Sequence, residues 1–367
     1  MYWFLVILTL LIGASLLKLE WGKGGVTLVR MPGPRGWPVI GSLLSIGKRP
    51  HETFSQLAKT YGNVFKVRLG SRTIVVMHGM KAVRDALLKQ AVTFAGRPNF
   101  FSMQRLSFNG FNFFTESHSK RWIEQRKMID SALKIFVDDR PKVLQEKIIT
   151  EGNELVRILT KDGKGNILDP HDDLHLSVRN ILSIVLYIQE KAQQEIDAVI
   201  GRERPPAFTD RQSLPYVDSL IHELLRHATL APLSVPHATV NDTKFYGYDI
   251  PNDTPVFPNL HSANFDVTEW EDPDQFKPER FLSQDGQSLN KVKTAKLASF
   301  SFGKRRYPGE QLAQKELFLF ITLFLQRCNI NKCPGDDPKL KWNHGLSLSP
   351  DRFNILTTPR NPLSDKA

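Results

Sequence analysis

The chain has 367 residues, 41% of them hydrophobic and 24% charged, a balance that excludes a disordered chain and allows a large buried core. Its two cysteines, Cys328 and Cys333, exclude a disulfide framework and fit a reducing compartment, and a C-x4-C pair without two further ligands is no structural zinc site. The formal net charge of +11 asks for an anionic partner; with no finger, RNP or helix-turn-helix signature, a membrane surface or an acidic protein fits it better than nucleic acid.

Residues 1–17 (MYWFLVILTLLIGASLL) are a predominantly apolar run that ends at Lys18 and is followed by Lys23 and Arg30. A cleavable signal peptide is the rival reading, but the charged start and the small-residue cleavage site are missing. The run therefore reads as an N-terminal membrane anchor, with the main domain on the positive, cytosolic side. Residues 18–50 are basic and rich in proline and glycine; Pro32, Pro34 and Pro38 hold the backbone extended, which predicts a stiff hinge. A single domain over 51–367 follows, since no linker-like stretch divides it.

Within that domain, Phe54, Leu57, Ala58 and Tyr61 recur at helical spacing over 51–61. The period then shifts to two: Phe65, Val67 and Leu69 alternate with Val64, Lys66 and Arg68, and a Gly70-Ser71 turn leads into 73–77, predicting a β-hairpin. The stretch 172–200 has no Gly, Pro or internal cap and is too long for one ordinary globular helix. Its apolar face changes character near Tyr187, from Leu174, Val178, Ile181, Leu182 and Val185 to a polar helix anchored by Ala192, Ile196 and Val199, as if two unrelated helices had been joined. A helix over 213–228 puts Glu223 and Arg226 on one face. Alone such a pair is an ordinary surface ion pair. With Arg280, in the segment WEDPDQFKPERF, it can form an Arg-Glu-Arg triad that fixes a buried loop through bidentate bonds. A second β-rich zone covers 242–260. The segment FSFGKRRYPGE (300–310) then enters a helix over 311–325; Gly303 and Gly309 let its backbone turn beside a flat ligand, and it delivers Tyr307 at the helix N-terminus.

The E-x-x-R helix, the PERF segment and the pattern F-x-x-G-x-R-x-Y-x-G, in this order and spacing, resemble the cytochrome P450 superfamily. The proline-rich hinge, FAGRP at 94–98 and the pair Trp122 and Arg126 extend the likeness over nearly the whole chain. The stretch 168–200 and the run GRERPPAFTDRQSLPYVDSLIHELLRH look most like the animal microsomal branch that contains aryl-hydrocarbon and steroid 17-hydroxylases. The resemblance implies a mainly α fold with small β-sheets, haem as cofactor, and monooxygenation of apolar small molecules at the endoplasmic reticulum membrane. It further implies electrons from NADPH through NADPH–cytochrome P450 reductase, with cytochrome b5 as an additional partner, and no nucleic acid. By the same resemblance Trp122, Arg126, His237 and Arg305 would hold the haem propionates, Phe300 would pack against the ring, and Gly303 and Gly309 would shape the approach of the loop to it. Taken singly, each has an ordinary structural reading as core, solvated charge or hydrogen-bonded strand residue. Arg126, Lys127, Lys304, Arg305 and Arg306 are the expected docking cations for an acidic reductase.

Two departures stand out. Tyr307 occupies the position of the family's iron-ligating cysteine, whose thiolate favours O–O cleavage. A phenolate is an alternative haem ligand, but the longer side chain requires the loop to retreat; the other readings are a ring packed in the proximal pocket or one blocking haem entry. In addition, no A-G-x-[DE]-T oxygen-activation motif exists in the chain, so no catalytic residue is identifiable, and the region from the F to the I helix is missing between the counterparts of Val185 and Ile188. Judged from family chain length, the block is roughly 150 residues. Three readings follow: a haem monooxygenase, a catalytically inactive truncated relative, and a tyrosinate-ligated haem protein with peroxide chemistry.

Overall fold

The computed structural model describes residues 28, 30–106, 112–161, 166–168, 189–333, 342–344, 347–350 and 354–360. It is mainly α-helical with small sheets, and the chain divides into two compact units. The first comprises residues 1–125, 231–270 and 301–306, the second 126–230, 271–300 and 307–367.

The first unit is built on a four-stranded sheet. Strands Val64–Leu69 and Arg72–Met77 form the predicted hairpin, in a register that pairs Val64 with Met77 and Leu69 with Arg72. The second strand pairs in parallel with Pro255–Pro258, which in turn pairs antiparallel with His237–Ala238. Strand alternation sends Phe65 and Val67, with Ile74 and Val76, into one core, and the helix Pro50–Tyr61 covers it with Phe54 and Ala58. Pro50 starts that helix where no N–H is needed. The zone 242–260 holds a further small hairpin, Thr243–Phe245 with Tyr248–Ile250.

The second unit packs Pro141–Leu159, Gln189–Val199, Pro215–Ala228 and Glu310–Arg327 around a core that includes Ile148, Ala192, Ile196, Leu220, Phe318 and Leu325. Beside these helices lies a three-stranded sheet of Asn166–Leu168, Ile355–Pro359 and Cys328–Lys332. Cys328 opens one of its strands and is buried, which pushes its thiol pKa up to about 12, and both cysteines are free.

One sequence expectation about packing is corrected. Ala192 and Ile196 are buried on the Gln189–Val199 helix, but Val199 is 41% exposed, and Ile200 is buried after the helix ends. The helix also buries a polar residue, Gln193, next to Ala192. Its amide donates to the carbonyls of Leu325 at 3.2 Å and Cys328 at 3.0 Å, so the polar side chain is buried without loss of hydrogen bonds. The joined region 171–188 and the apolar run 1–17 lie outside the described residues; among those described, no helix is long and apolar enough to cross a membrane.

Replacing Ile196 by alanine should cost about 2–4 kcal/mol, whereas Val199→Ala should stay within about 0.5 kcal/mol. Urea unfolding of the two variants side by side checks this helix register, and equal losses would contradict it.

Candidate functional site

In the first unit the FAGRP segment is joined to strand His237–Ala238 by a bridge between Gly96 and Ala238, with the Ala238 N–H donating to the Gly96 carbonyl at 2.9 Å. A Cβ at position 96 would lie 2.6 Å from the Ala238 oxygen, so the approach requires glycine. The pairing gathers two cations and a histidine. The guanidinium of Arg97 donates to the carbonyls of Phe114 (2.8 Å), Val235 (3.2 Å) and Pro236 (2.9 Å). Its enclosure lowers its pKa to about 10, and no carboxylate among the described residues pairs with it. Arg305 donates to the carbonyls of Ala95 (2.7 Å) and Glu116 (2.6 Å), and its guanidinium carbon lies 4.0 Å from the centre of the Trp122 ring.

His237 is fully enclosed between these elements. Its Nδ1 lies 2.7 Å from the Phe94 carbonyl and so carries the proton, while Nε2 is buried without a hydrogen-bond partner among the described residues. Burial, then the charges of Arg97 and Arg305, hold the ring well below its ordinary pKa, so it is neutral with a bare acceptor nitrogen. Gly303 seats the segment 301–306 in this unit. It has φ +69°, and a Cβ there would fall 1.8 Å from the Leu87 carbonyl oxygen.

Of the residues expected to hold haem carboxylates, the structure thus brings Trp122, His237 and Arg305 together. The Trp122 indole N–H is used locally, donating to the Phe113 carbonyl at 3.1 Å. Arg126 falls in the second unit, where its Nε donates to both carboxylate oxygens of Asp130 at 2.9 Å. Sequence reasoning quoted FAGRP but gave Arg97 no role. Its sequence neighbourhood carries no signal for one, because all its partners come from distant segments of the chain.

In the second unit Glu223, Arg226 and Arg280 meet. Both carboxylate oxygens of Glu223 accept from Arg226 at 2.8 Å, one of them also from Arg280 at 3.0 Å and from the Lys277 N–H at 2.9 Å. Glu223 and Arg226 are completely buried. The remaining guanidinium hydrogens go to carbonyls of the segment 271–275: Arg226 to Pro273, Arg280 to Glu271, Asp272 and Gln275. Every donor of consequence is satisfied, as a buried ionic cluster requires.

The same unit holds Phe300, Tyr307 and Gly309. Tyr307 is 49% exposed and stacks on Phe300, with ring centroids 6.0 Å apart and planes 16° apart, and its N–H donates to the Phe300 carbonyl at 3.0 Å. Its ring also lies over Gly309, the residue preceding the Glu310–Arg327 helix, where a Cβ would meet the phenol oxygen at 3.1 Å. As placed, the phenol is a half-exposed ring stacked on Phe300.

The protein is thus mainly α with small sheets, a buried Arg-Glu-Arg cluster in the second unit and a cationic cluster around His237 in the first. The cytochrome P450 family model matches residues 31–187 and 186–357, and the chain belongs to that family. It is similar to cytochrome P450 1A1 of Opsanus tau, 29% identical over 475 aligned positions that cover 91% of each chain. Cytochrome P450 1B1 of Homo sapiens is 27% identical over 477 positions, covering 90% of this chain and 88% of that protein. Cytochrome P450 1A2 of Oryctolagus cuniculus is 27% identical over 477 positions, covering 91% and 92%. This likeness agrees with the animal branch that the sequence resembles. These alignments span more positions than the chain has residues, and the two stretches matched by the family model meet at 186–187.

Against haem, which this family implies, the two units give different answers. The cradle fits at Arg97, which has no carboxylate among the described residues and would gain one from a propionate; Nε2 of His237, an acceptor while Nδ1 carries the proton, would bond to a propionate only if one of the two carried a further proton. Position 307 does not fit the thiolate ligand, since its phenol is stacked on Phe300.

Glu223→Gln should destabilise the protein by about 3–5 kcal/mol, because it leaves two buried guanidiniums without their carboxylate. Thermal unfolding, compared with Asp130→Asn as a surface control, tests this. A second expectation concerns pH. His237 and His222 are held below the ordinary value of 6.5 by burial, so the unfolded chain binds more protons than the folded one. Stability should therefore be flat above pH 6.5 and decline as the pH falls below it, and His237→Gln should make that decline shallower in a pH series of melting temperatures.

Proposed function

We propose that this chain binds haem through its cationic cradle but has lost the thiolate-driven monooxygenation characteristic of its family. The observation that carries the reading is Arg97, enclosed by three carbonyls without a carboxylate, beside the bare Nε2 of His237. Arg97 is partly enclosed and bonded to neutral carbonyls alone, and a carboxylate-bearing ligand would provide the counter-charge that the described residues do not. When bound, haem supplies redox-active iron. Arg97 and Arg305 would hold its carboxylates, with the Trp122 ring against the Arg305 guanidinium, and His237 would join them only on gaining a proton at Nε2. Tyr307 would have to leave its stack on Phe300 to ligate iron, and as placed it holds the 307–309 turn instead.

The parent activity supported by kinship is oxidation of apolar small molecules of xenobiotic or steroid type, driven by NADPH through the reductase, with cytochrome b5 as an auxiliary donor. In the first unit Lys304 and Arg306 are exposed and suit an acidic electron-transfer partner, and in the second so does Lys127 by itself; Arg305, engaged with the Ala95 and Glu116 carbonyls, and Arg126, paired with Asp130, leave that set. Without an A-G-x-[DE]-T segment the distal side lacks its proton-relay threonine. The two-piece family match meeting at 186–187 supports loss of an internal block, which sequencing of the transcript across that position and the Tyr307 codon would settle. The anchor at 1–17 would keep the chain at the endoplasmic reticulum membrane with its main domain in the cytosol.

Titration of the purified protein with haemin, followed by reduction under carbon monoxide, tests the reading. The expected result is a stoichiometric Soret band without the thiolate-type red shift, and affinity lowered about tenfold or more by Arg97→Gln, the loss of a charge-assisted bond. A red-shifted band would restore monooxygenation as the function, and absence of any band would make the chain an unliganded relative. If Tyr307→Phe left the spectrum unchanged, a tyrosinate-ligated peroxidase would be eliminated.

A further inference from the structure

The cationic cluster of the first unit holds one group whose charge can change near neutral pH. His237 lies on strand His237–Ala238 and is buried, and its two ring nitrogens have different surroundings. Nδ1 lies 2.7 Å from the Phe94 carbonyl oxygen, which can only accept, so Nδ1 keeps its proton whether the ring is neutral or charged. Nε2 is buried and has no hydrogen-bond partner among the described residues. Charged groups act on the ring from two segments. The FAGRP segment brings Arg97, whose guanidinium bonds to the carbonyls of Val235 and Pro236, the two residues before His237. The segment 301–306 brings Arg305, held at the Ala95 carbonyl. Strand Pro255–Pro258, which pairs Val256 with His237, carries no titratable side chain. The ring is therefore kept neutral by burial and by two cations, with no carboxylate among the described residues to offset them.

A ligand carboxylate reverses that balance. It brings acceptor atoms to a nitrogen that is itself an acceptor, and the two cannot bond until a proton comes between them. Two guanidiniums favour the carboxylate as an anion, and its ordinary pKa lies below that of imidazole, so the proton belongs to the ring. The imidazolium then donates from Nδ1 to Phe94 and from Nε2 to the carboxylate, and its charge adjoins an anion instead of cations alone. We propose that filling the cradle with haem is coupled to uptake of one proton from solvent at Nε2 of His237, so that the cradle holds its ligand more weakly as the pH rises. The coupling rests on the reading of the cradle as a haem site.

Haemin is titrated into the full chain in detergent micelles from about pH 5.5 to about pH 8, and calorimetry in buffers of different ionisation enthalpy counts the protons taken up. Affinity should fall with rising pH by up to about tenfold per pH unit, with uptake approaching about one proton per haem over the same range. His237→Gln, whose amide donates without gaining a proton, should flatten the profile and abolish the uptake. Haemin dimethyl ester, which lacks both carboxylates, should do the same in the unmodified protein, a comparison that stands even if the variant fails to fold. Haemin binding that is flat with pH and takes up no proton overturns the coupling and leaves the haem reading standing, whereas no binding at any pH overturns both. A profile that neither His237→Gln nor esterification alters places the proton elsewhere and also overturns the proposal.

Discussion

A buried carboxylate with two guanidiniums is the constraint on which the second unit turns. Glu223 lies on a helix whose sequence makes it, with Arg226, part of one face, but burying this pair is favourable only because Arg280, the Lys277 amide and the carbonyls of 271–275 complete every bond. The long irregular segment around the PERF motif has little regular structure of its own to hold it. Its conformation is set by carbonyls that must point at guanidinium hydrogens, since a buried donor left unpaired costs more than the loop gains from any alternative.

The first unit uses the same chemistry with one component left out. Arg97 and Arg305 are likewise held by backbone carbonyls, yet Arg97 has no carboxylate beside it among the described residues, and His237 keeps a bare nitrogen. A closed ionic cluster stabilises a loop, and the cluster at Arg97 lacks the carboxylate that closes the one at Arg226, although both arginines bond to backbone carbonyls. The Gly96 approach to Ala238 makes the open cluster possible, since any side chain there would drive apart the two segments that carry Arg97 and His237.

Tyr307 stands where the family pattern has its cysteine, in a loop that otherwise matches that pattern. The loop around it keeps its glycines and its arginine, so the features that fit a haem edge are preserved, while the phenol stacks on Phe300 and leans over Gly309 as an ordinary aromatic residue at a helix start. The substitution is confined to the helix start in the second unit, while Arg97, Arg305 and His237 keep their backbone partners in the first.

The sequence alone determined the family, through motifs whose spacing reflects fixed distances along helices and loops, and it located the hairpin, the triad partners and the anomaly at 307. These are legible because they depend on local periodicity or on residue types that have few alternative uses. It assigned Val199 an inward position that belongs to Gln193 and Ile200, since an apolar stripe read from periodicity carries no information about which carbonyls a neighbouring helix end leaves open. It passed over Arg97, whose partners stand at positions 114, 235 and 236. Which cation is balanced and which is open, and which apolar residue is covered and which is exposed, are relations between distant segments, and those the tertiary structure alone decides.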